Sequence, residues 1–205
     1  MYDFKRTVQR ATLIAACVFL AGCSTNDGRA MKSPLPGQTD SVQVATTVGE
    51  SFTDGPAPMA VTGPWPSGSA IDNRYTCAGV GISPPLTWTP GPEDTQGYAI
   101  VIDNMDDPSV LPWVVTNIDF AVSTALEGQV PAGGVVAMSA KGERAYDPPC
   151  PPTGSTHTFV VTVYALDALT PLDDNPDART IISDIESGAL EAATAVFTVA
   201  RQPPP

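Results

Sequence analysis

The sequence predicts a mainly β fold: an antiparallel β-sandwich with one or two short C-terminal helices. Three observations carry that expectation. Pro (22) and Gly (17) interrupt a chain of 205 residues too often for a helix bundle. Short runs rich in Val, Ile, Thr, Tyr, Phe and Trp recur between those interruptions. Helical spacing of apolar residues is convincing in one late region only.

At the N-terminus, Lys5, Arg6 and Arg10 precede a twelve-residue apolar run, 11–22. As a helix that run would rise about 18 Å, short of the ~30 Å hydrocarbon core of a bilayer. It reads as a cleavable leader, residues 1–22. The run ends in Leu20-Ala21-Gly22-Cys23, which resembles a bacterial lipobox, with Cys23 as the lipidated residue. An ordinary secretory signal with an incidental Cys is the alternative. Two or three acyl chains, palmitate-type chains among them, anchor firmly at ~0.8 kcal/mol per buried CH₂. The expected location is the extracytoplasmic side of the cell membrane, lipid-anchored.

Loss of the leader removes Lys5, Arg6, Arg10 and Asp3. It takes the formal net charge from −12 to −14, because three of ten basic and one of twenty-two acidic residues leave. Such a polyanion is repelled by an anionic membrane, so the lipid itself must anchor it. The same charge excludes a nucleic-acid binder that tracks phosphates. With Cys17 in the leader and Cys23 lipidated, Cys77 and Cys150 remain as an even pair in an oxidising compartment. They form either a disulfide, the preferred reading, or two buried thiols.

Residues 23–50, rich in Ser, Thr, Gly, Pro and Gln, read as a flexible tether. Residues 51–201 form the domain and 202–205 a Pro-rich tail. Strands are expected at 59–62, 86–88, 98–102, 113–118, 159–166 and 195–200. The nearly continuous apolar runs at 98–102 and 159–166 are central strands covered on both faces. Helix is expected over 177–193, capped by Asn175 or Asp177. Ile181, Ile182, Ile185 and Leu190 form its apolar stripe, and Gly188 breaks it into two short pieces.

Three stretches carry a resemblance. The first is Tyr75-Thr76-Cys77-Ala78-Gly79 followed by Ser83-Pro84-Pro85-Leu86-Thr87-Trp88. The second is Asp103-Asn104-Met105-Asp106-Asp107-Pro108 followed by Trp113-Val114-Val115-Thr116-Asn117-Ile118. The third is Tyr146-Asp147-Pro148-Pro149-Cys150-Pro151-Pro152-Thr153-Gly154, then His157-Thr158-Phe159 and the strand that follows. In register, over about 52–201, these are similar to the phosphatidylethanolamine-binding protein family in its bacterial YbhB/YbcL (Raf kinase inhibitor-like) branch. The resemblance implies a β-sandwich with a small anion pocket at one edge, lined by Asn104, Asp106, Pro108, Tyr146, Pro151 and His157. It implies a phospholipid headgroup or another small anion as partner. Asp106 is expected to order its loop by accepting backbone N–H groups.

The chain departs from the family pattern where the pocket should be. Asn104 stands for an Asp, Met105 for a Pro, Pro112 for a His, Pro148 for a Gly and Thr158 for an Arg. One extra residue separates Gly154 from His157. The lost His and Arg remove donors, while Asn104 replaces a carboxylate that repels anions with an amide that can donate to them. The pocket is therefore either a more neutral cavity or a filled one.

Other readings are blander. Asp103, Asp106 and Asp107 lack a cation-site spacing and read as a polar loop. His157 is either a pocket donor or a half-buried His satisfied by backbone. No Gly-x-Ser-x-Gly elbow, P-loop, dinucleotide fingerprint or zinc-ligand set occurs, so neither enzyme activity, cofactor nor metal is expected. Two further functions compete with headgroup binding: a protease- or kinase-inhibitor-like protein-interaction module using the loop 149–154, and a degenerate, non-binding envelope domain.

Overall fold

The computed structural model describes residues 57–139, 141–172 and 177–203, all within one compact unit, Thr53–Pro205. The leader, Cys23 and the tether lie outside the described residues, as does Asn175.

Among the described residues, eight strands and one helix run in the order β1 (Val61–Thr62), β2 (Leu86–Trp88), β3 (Gly97–Asn104), β4 (Trp113–Asp119), β5 (Thr124–Ala125), β6 (Val135–Val136), β7 (Thr156–Leu166), α1 (Ala178–Ser187) and β8 (Ala189–Ala200). A single 3₁₀ turn, Asn73–Tyr75, precedes β2. The strands form two sheets, β1-β2-β5 and β6-β4-β3-β7-β8, with every strand pairing antiparallel. β3 sits at the centre of the larger sheet, and its residues 97–102 are all buried.

The larger sheet is covered on both faces, which is why its central strands read as unbroken apolar runs. Along β3, Ile100 and Ile102 face the smaller sheet with Trp88, Trp113, Phe159 and Phe197. Ala99 and Val101 face α1 and meet Ile181 and Ile185. Phe159 and Phe197 are fully buried and stacked at 5.3 Å. Burial of each such side chain is worth roughly 1.5–3 kcal/mol before packing terms.

All six expected strands are present, several longer than the apolar runs suggested; the first is shorter, at Val61–Thr62. β5 and β6 escaped the sequence because two-residue strands have no period to detect. The helix is a single piece. Asp177 caps it, its side chain accepting from Arg179 N and Thr180 N, and it stops at Gly188. The expected second helical piece is instead the start of β8, and Leu190 is largely exposed there. Pairing overrides helical spacing, because Ala189 and Glu191 join the ladder opposite Leu166 and Ala165.

The outer edge of β8 is not left bare. Gly68 N and Ile71 N donate to Val196 O and Thr198 O, and Thr198 N donates to Ser69 O. A short extended segment thus satisfies what would be an open sheet edge.

Candidate functional site

The site grows from the end of one ladder. Asn104, the last residue of β3, lies opposite Phe159 of β7. Side chains alternate along a strand, so His157 shares the inward face with Phe159. The two antiparallel strands therefore deliver Asn104 and His157 to one corner. Asn104 Nδ2 lies 3.0 Å from His157 Nδ1.

The hydrogen bonds around Asn104 fix the orientation of both side chains. Its Oδ1 accepts Asp106 N–H at 3.1 Å and Asp107 N–H at 3.2 Å. Only the carbonyl oxygen can accept, so the NH₂ group faces His157. His157 Nδ1 must then be an acceptor. The ring proton sits on Nε2, which remains as a donor on a neutral, half-buried imidazole. Asn104 itself is almost fully buried, at 4% exposure.

The loop after Asn104 is sewn to the start of β7. Met105 N donates to Thr158 O at 2.9 Å, and Thr158 N donates to Asp106 Oδ2 at 2.6 Å. This corrects the expected division of labour. The oxygen that organises the loop's own N–H groups belongs to Asn104, while Asp106 reaches across and caps Thr158. The loop N–H groups nearest the exposed Asp106, its own and that of Asp107, already donate to Asn104 Oδ1, which leaves the Asp106 carboxylate to Thr158 N. Asp107 Oδ1 accepts from Ser109 Oγ and N, and these bonds hold its carboxyl below the usual carboxylate range.

The remaining expected residues make their contacts elsewhere. Tyr146 is half-buried, its ring edge-on to Trp113 at 5.9 Å. Its hydroxyl donates to Tyr75 O at 2.7 Å, and burial, with the charge of Asp147 adding to it, pushes the phenol well above its ordinary value. Tyr146 and Trp113 wall a concavity of about 310 Å³ together with Ile82, Ser83, Gln129 and Arg144, a lining that includes none of Asn104, Asp106, Pro151 and His157. Pro151 is buried, and its carbonyl accepts from Arg201 Nη1 at 3.4 Å. Pro108 is exposed, and its carbonyl accepts from Arg179 Nη2, which draws that end of the loop toward the helix layer.

The wall is fastened by a disulfide between Cys77 and Cys150, with Cα atoms 5.3 Å apart. Beside it, Cys77 N donates to Pro149 O at 3.2 Å. Gly79 in the same stretch is required by space, since a Cβ there would collide with the Asn73 carbonyl. Pro112, where the resemblance led a His to be expected, is buried and contributes its carbonyl to Asp147 N at 2.8 Å.

The structure thus joins Asn104, Asp106 and His157 directly, and places Tyr146 and Pro151 in neighbouring segments. Two contributors, Ser109 and Arg201, escaped the sequence. Ser109 does complete a turn signal, an Asp followed two residues later by a hydroxyl. Arg201 carries none, because its role depends on β8 ending beside Pro151.

Comparison with known proteins places the chain in a family. The sequence model of the phosphatidylethanolamine-binding protein family matches residues 61–200. LppC of Mycobacterium tuberculosis, whose name calls it a lipoprotein, is 34% identical over 167 residues, covering 78% of this chain and 80% of LppC. A UPF0098 protein of Mycobacterium bovis is 35% identical over 134 residues; the match covers 62% of this chain and 65% of that protein, just under two thirds of its length. Among solved structures, a phosphatidylethanolamine-binding protein homolog of Chlamydia trachomatis superposes with a TM-score of 0.64 at 26% identity, over 70% of this chain and 98% of its own. Escherichia coli YbcL shares the fold, with a TM-score of 0.65 at 23% identity over 70% and 99%. With the family match spanning both sheets and the corner where Asn104 meets His157, the chain belongs to the phosphatidylethanolamine-binding protein family.

Proposed function

We propose that this protein is a lipid-anchored, extracytoplasmic member of the family that binds a small anion or phosphate-type headgroup at the Asn104–His157 corner, without catalysis. One observation carries the reading: Asn104 holds His157 in the tautomer whose Nε2–H is a donor. An anion needs such a donor and no carboxylate in its place. Asp106 and Asp107 flank the corner with negative charge, which favours a zwitterionic headgroup whose cationic end meets them over a bare phosphate. The single His engages an amide rather than a nucleophile or an orienting carboxylate, which supports binding over acid–base chemistry.

The test is titration of the full chain in detergent with phosphate, acetate and phosphoethanolamine, followed by calorimetry and by NMR of the imidazole nitrogens. Shifts centred on His157 Nε2, strongest with phosphoethanolamine, are expected. Absence of any shift at His157 and Asn104 with all three would overturn the ligand claim. For the anchor, a Cys23→Ala chain should lose acyl labelling and leave the membrane fraction. No helix among the described residues is long and apolar enough to cross a membrane.

A protein-interaction role is favoured by one separate feature. Pro152, Thr153 and Gly154 are exposed on a braced turn, in which Ser155 N donates to Pro152 O and Gly154 N to Arg201 O at 2.7 Å. Retention of an envelope partner that is lost on Thr153→Arg, with headgroup binding intact, would establish that role.

A further inference from the structure

The Cys77–Cys150 bridge is placed unlike a structural disulfide. Both cysteines are exposed, although Pro149 and Pro151 on either side of Cys150 are buried. Arg201 Nη1 lies 3.4 Å from Cys150 Sγ and 3.4 Å from Pro151 O. The bridge is therefore open to an attacking thiolate, and its two sulfurs are electrostatically unequal. In thiol–disulfide exchange the sulfur that leaves carries away the negative charge, so a guanidinium beside one sulfur selects it as the leaving group.

We infer that Cys77–Cys150 is a directional thiol–disulfide exchange site, attacked at Cys77 Sγ with Cys150 leaving as a thiolate against Arg201. An incoming thiolate of a dithiol reductant bonds to Cys77 Sγ. The S–S bond breaks and its electron pair goes to Cys150 Sγ. The second thiolate of the reductant then attacks its own sulfur in the mixed disulfide and releases Cys77 as a thiolate. The dithiol ends as a disulfide, and Cys77 and Cys150 end as two thiols once each takes up a proton.

The surroundings also make the opening local and reversible. Cys77 N remains bonded to Pro149 O, and Tyr146 Oη to Tyr75 O, so two hydrogen bonds hold the segments together without the sulfurs. The reduced chain keeps its sheets and the two thiols stay close enough to re-form the bond. The wall segment carrying Pro151 loses its covalent fastening but not its place. Exposed disulfides are generally the labile, exchangeable ones, and this one adds a preferred direction.

The experiment uses the folded full chain in detergent with 2-mercaptoethanol, quenched in acid and mapped by mass spectrometry. Cys17 and Cys23 fall in a different tryptic peptide from either Cys77 or Cys150. The adduct is expected on Cys77 at least about threefold more than on Cys150, and the preference should vanish in denaturant. Arg201→Gln should equalise the two positions and slow native-state exchange by about threefold or more, with Arg201→Lys restoring part of the bias. A merely structural role for Arg201 would alter the rate without altering which sulfur is labelled. Equal labelling of the native chain, labelling mainly on Cys150, or reduction only after global unfolding each overturns the proposal.

Discussion

Asn104 and His157, fifty-three residues apart, meet at 3.0 Å because the last residue of one central strand shares its inward face with the second residue of the next. Two backbone N–H groups on the other side of the amide set the direction of that bond. The loop conformation and the imidazole tautomer are therefore one decision, made by one side chain.

Asn104→Asp tests that coupling. A carboxylate can still accept the N–H groups of Asp106 and Asp107, but it has no proton to give to His157 Nδ1. The imidazole should switch its proton to Nδ1 or become charged. Nitrogen NMR of the ring should show Nε2–H in the native chain and a protonated Nδ1 in the variant. Anion affinity should fall as well, since the new charge lies beside the donor. An unchanged ring spectrum would sink the tautomer assignment.

Asn104→Ala removes the same hub without adding charge. Two loop N–H groups and the imidazole nitrogen lose their partner at a site that is 4% exposed. The expected cost is about 2 kcal/mol, read as a lower urea midpoint at unchanged slope. Asp106→Ala exposes only Thr158 N at a solvent-facing position and should cost clearly less. If the two variants are equally stable, Asn104 is not the organiser of this loop.

These effects show how unevenly the site was written in the sequence. The long strands β3 and β7 were legible because burial on both faces leaves an apolar run that period and composition reveal. His157 and Asn104 were legible through the motif that surrounds them. The role of Asn104 was not, because the two bonds its Oδ1 accepts and the one its Nδ2 donates exist together only once β3 and β7 are in register. Arg201 was invisible for the same reason. Leu190 shows the reverse failure: its helical spacing was real in the sequence but lost to cross-strand pairing after Gly188.

Asp177 offers a pH test with a definite sign. Its carboxylate accepts from Arg179 N, Thr180 N and Thr180 Oγ, and the bonds from Thr180 are the main reason its carboxyl lies below the ordinary value. A carboxyl lowered by folding stabilises the native state above its unfolded value, and that contribution fades as pH falls through the folded value. Asp177→Ala should therefore lower the melting temperature at neutral pH, and the gap to the native chain should close in strong acid. A gap that stays constant down to the acid limit would mean that the cap acts through something other than its charge.

Asp103 predicts the opposite sign. It alternates with Ala99 and Val101 on the face of β3 that meets α1, where burial chiefly, and then the charge of Glu186, raise its carboxyl; Arg179 partly opposes this. Tyr164, on the same face, is likewise raised, by burial first and then by Glu186 and Asp103. A carboxyl raised by folding destabilises the native state when ionised, and the penalty disappears as pH falls below its unfolded value. Asp103→Asn keeps the shape and removes the charge. It should raise the melting temperature at neutral pH, with the gain shrinking steadily as the solution is acidified through the raised value toward the ordinary one. Differential scanning across that range checks it. A variant less stable than the native chain at neutral pH would show that attraction to Arg179 outweighs both burial and Glu186, reversing the balance assigned to this face.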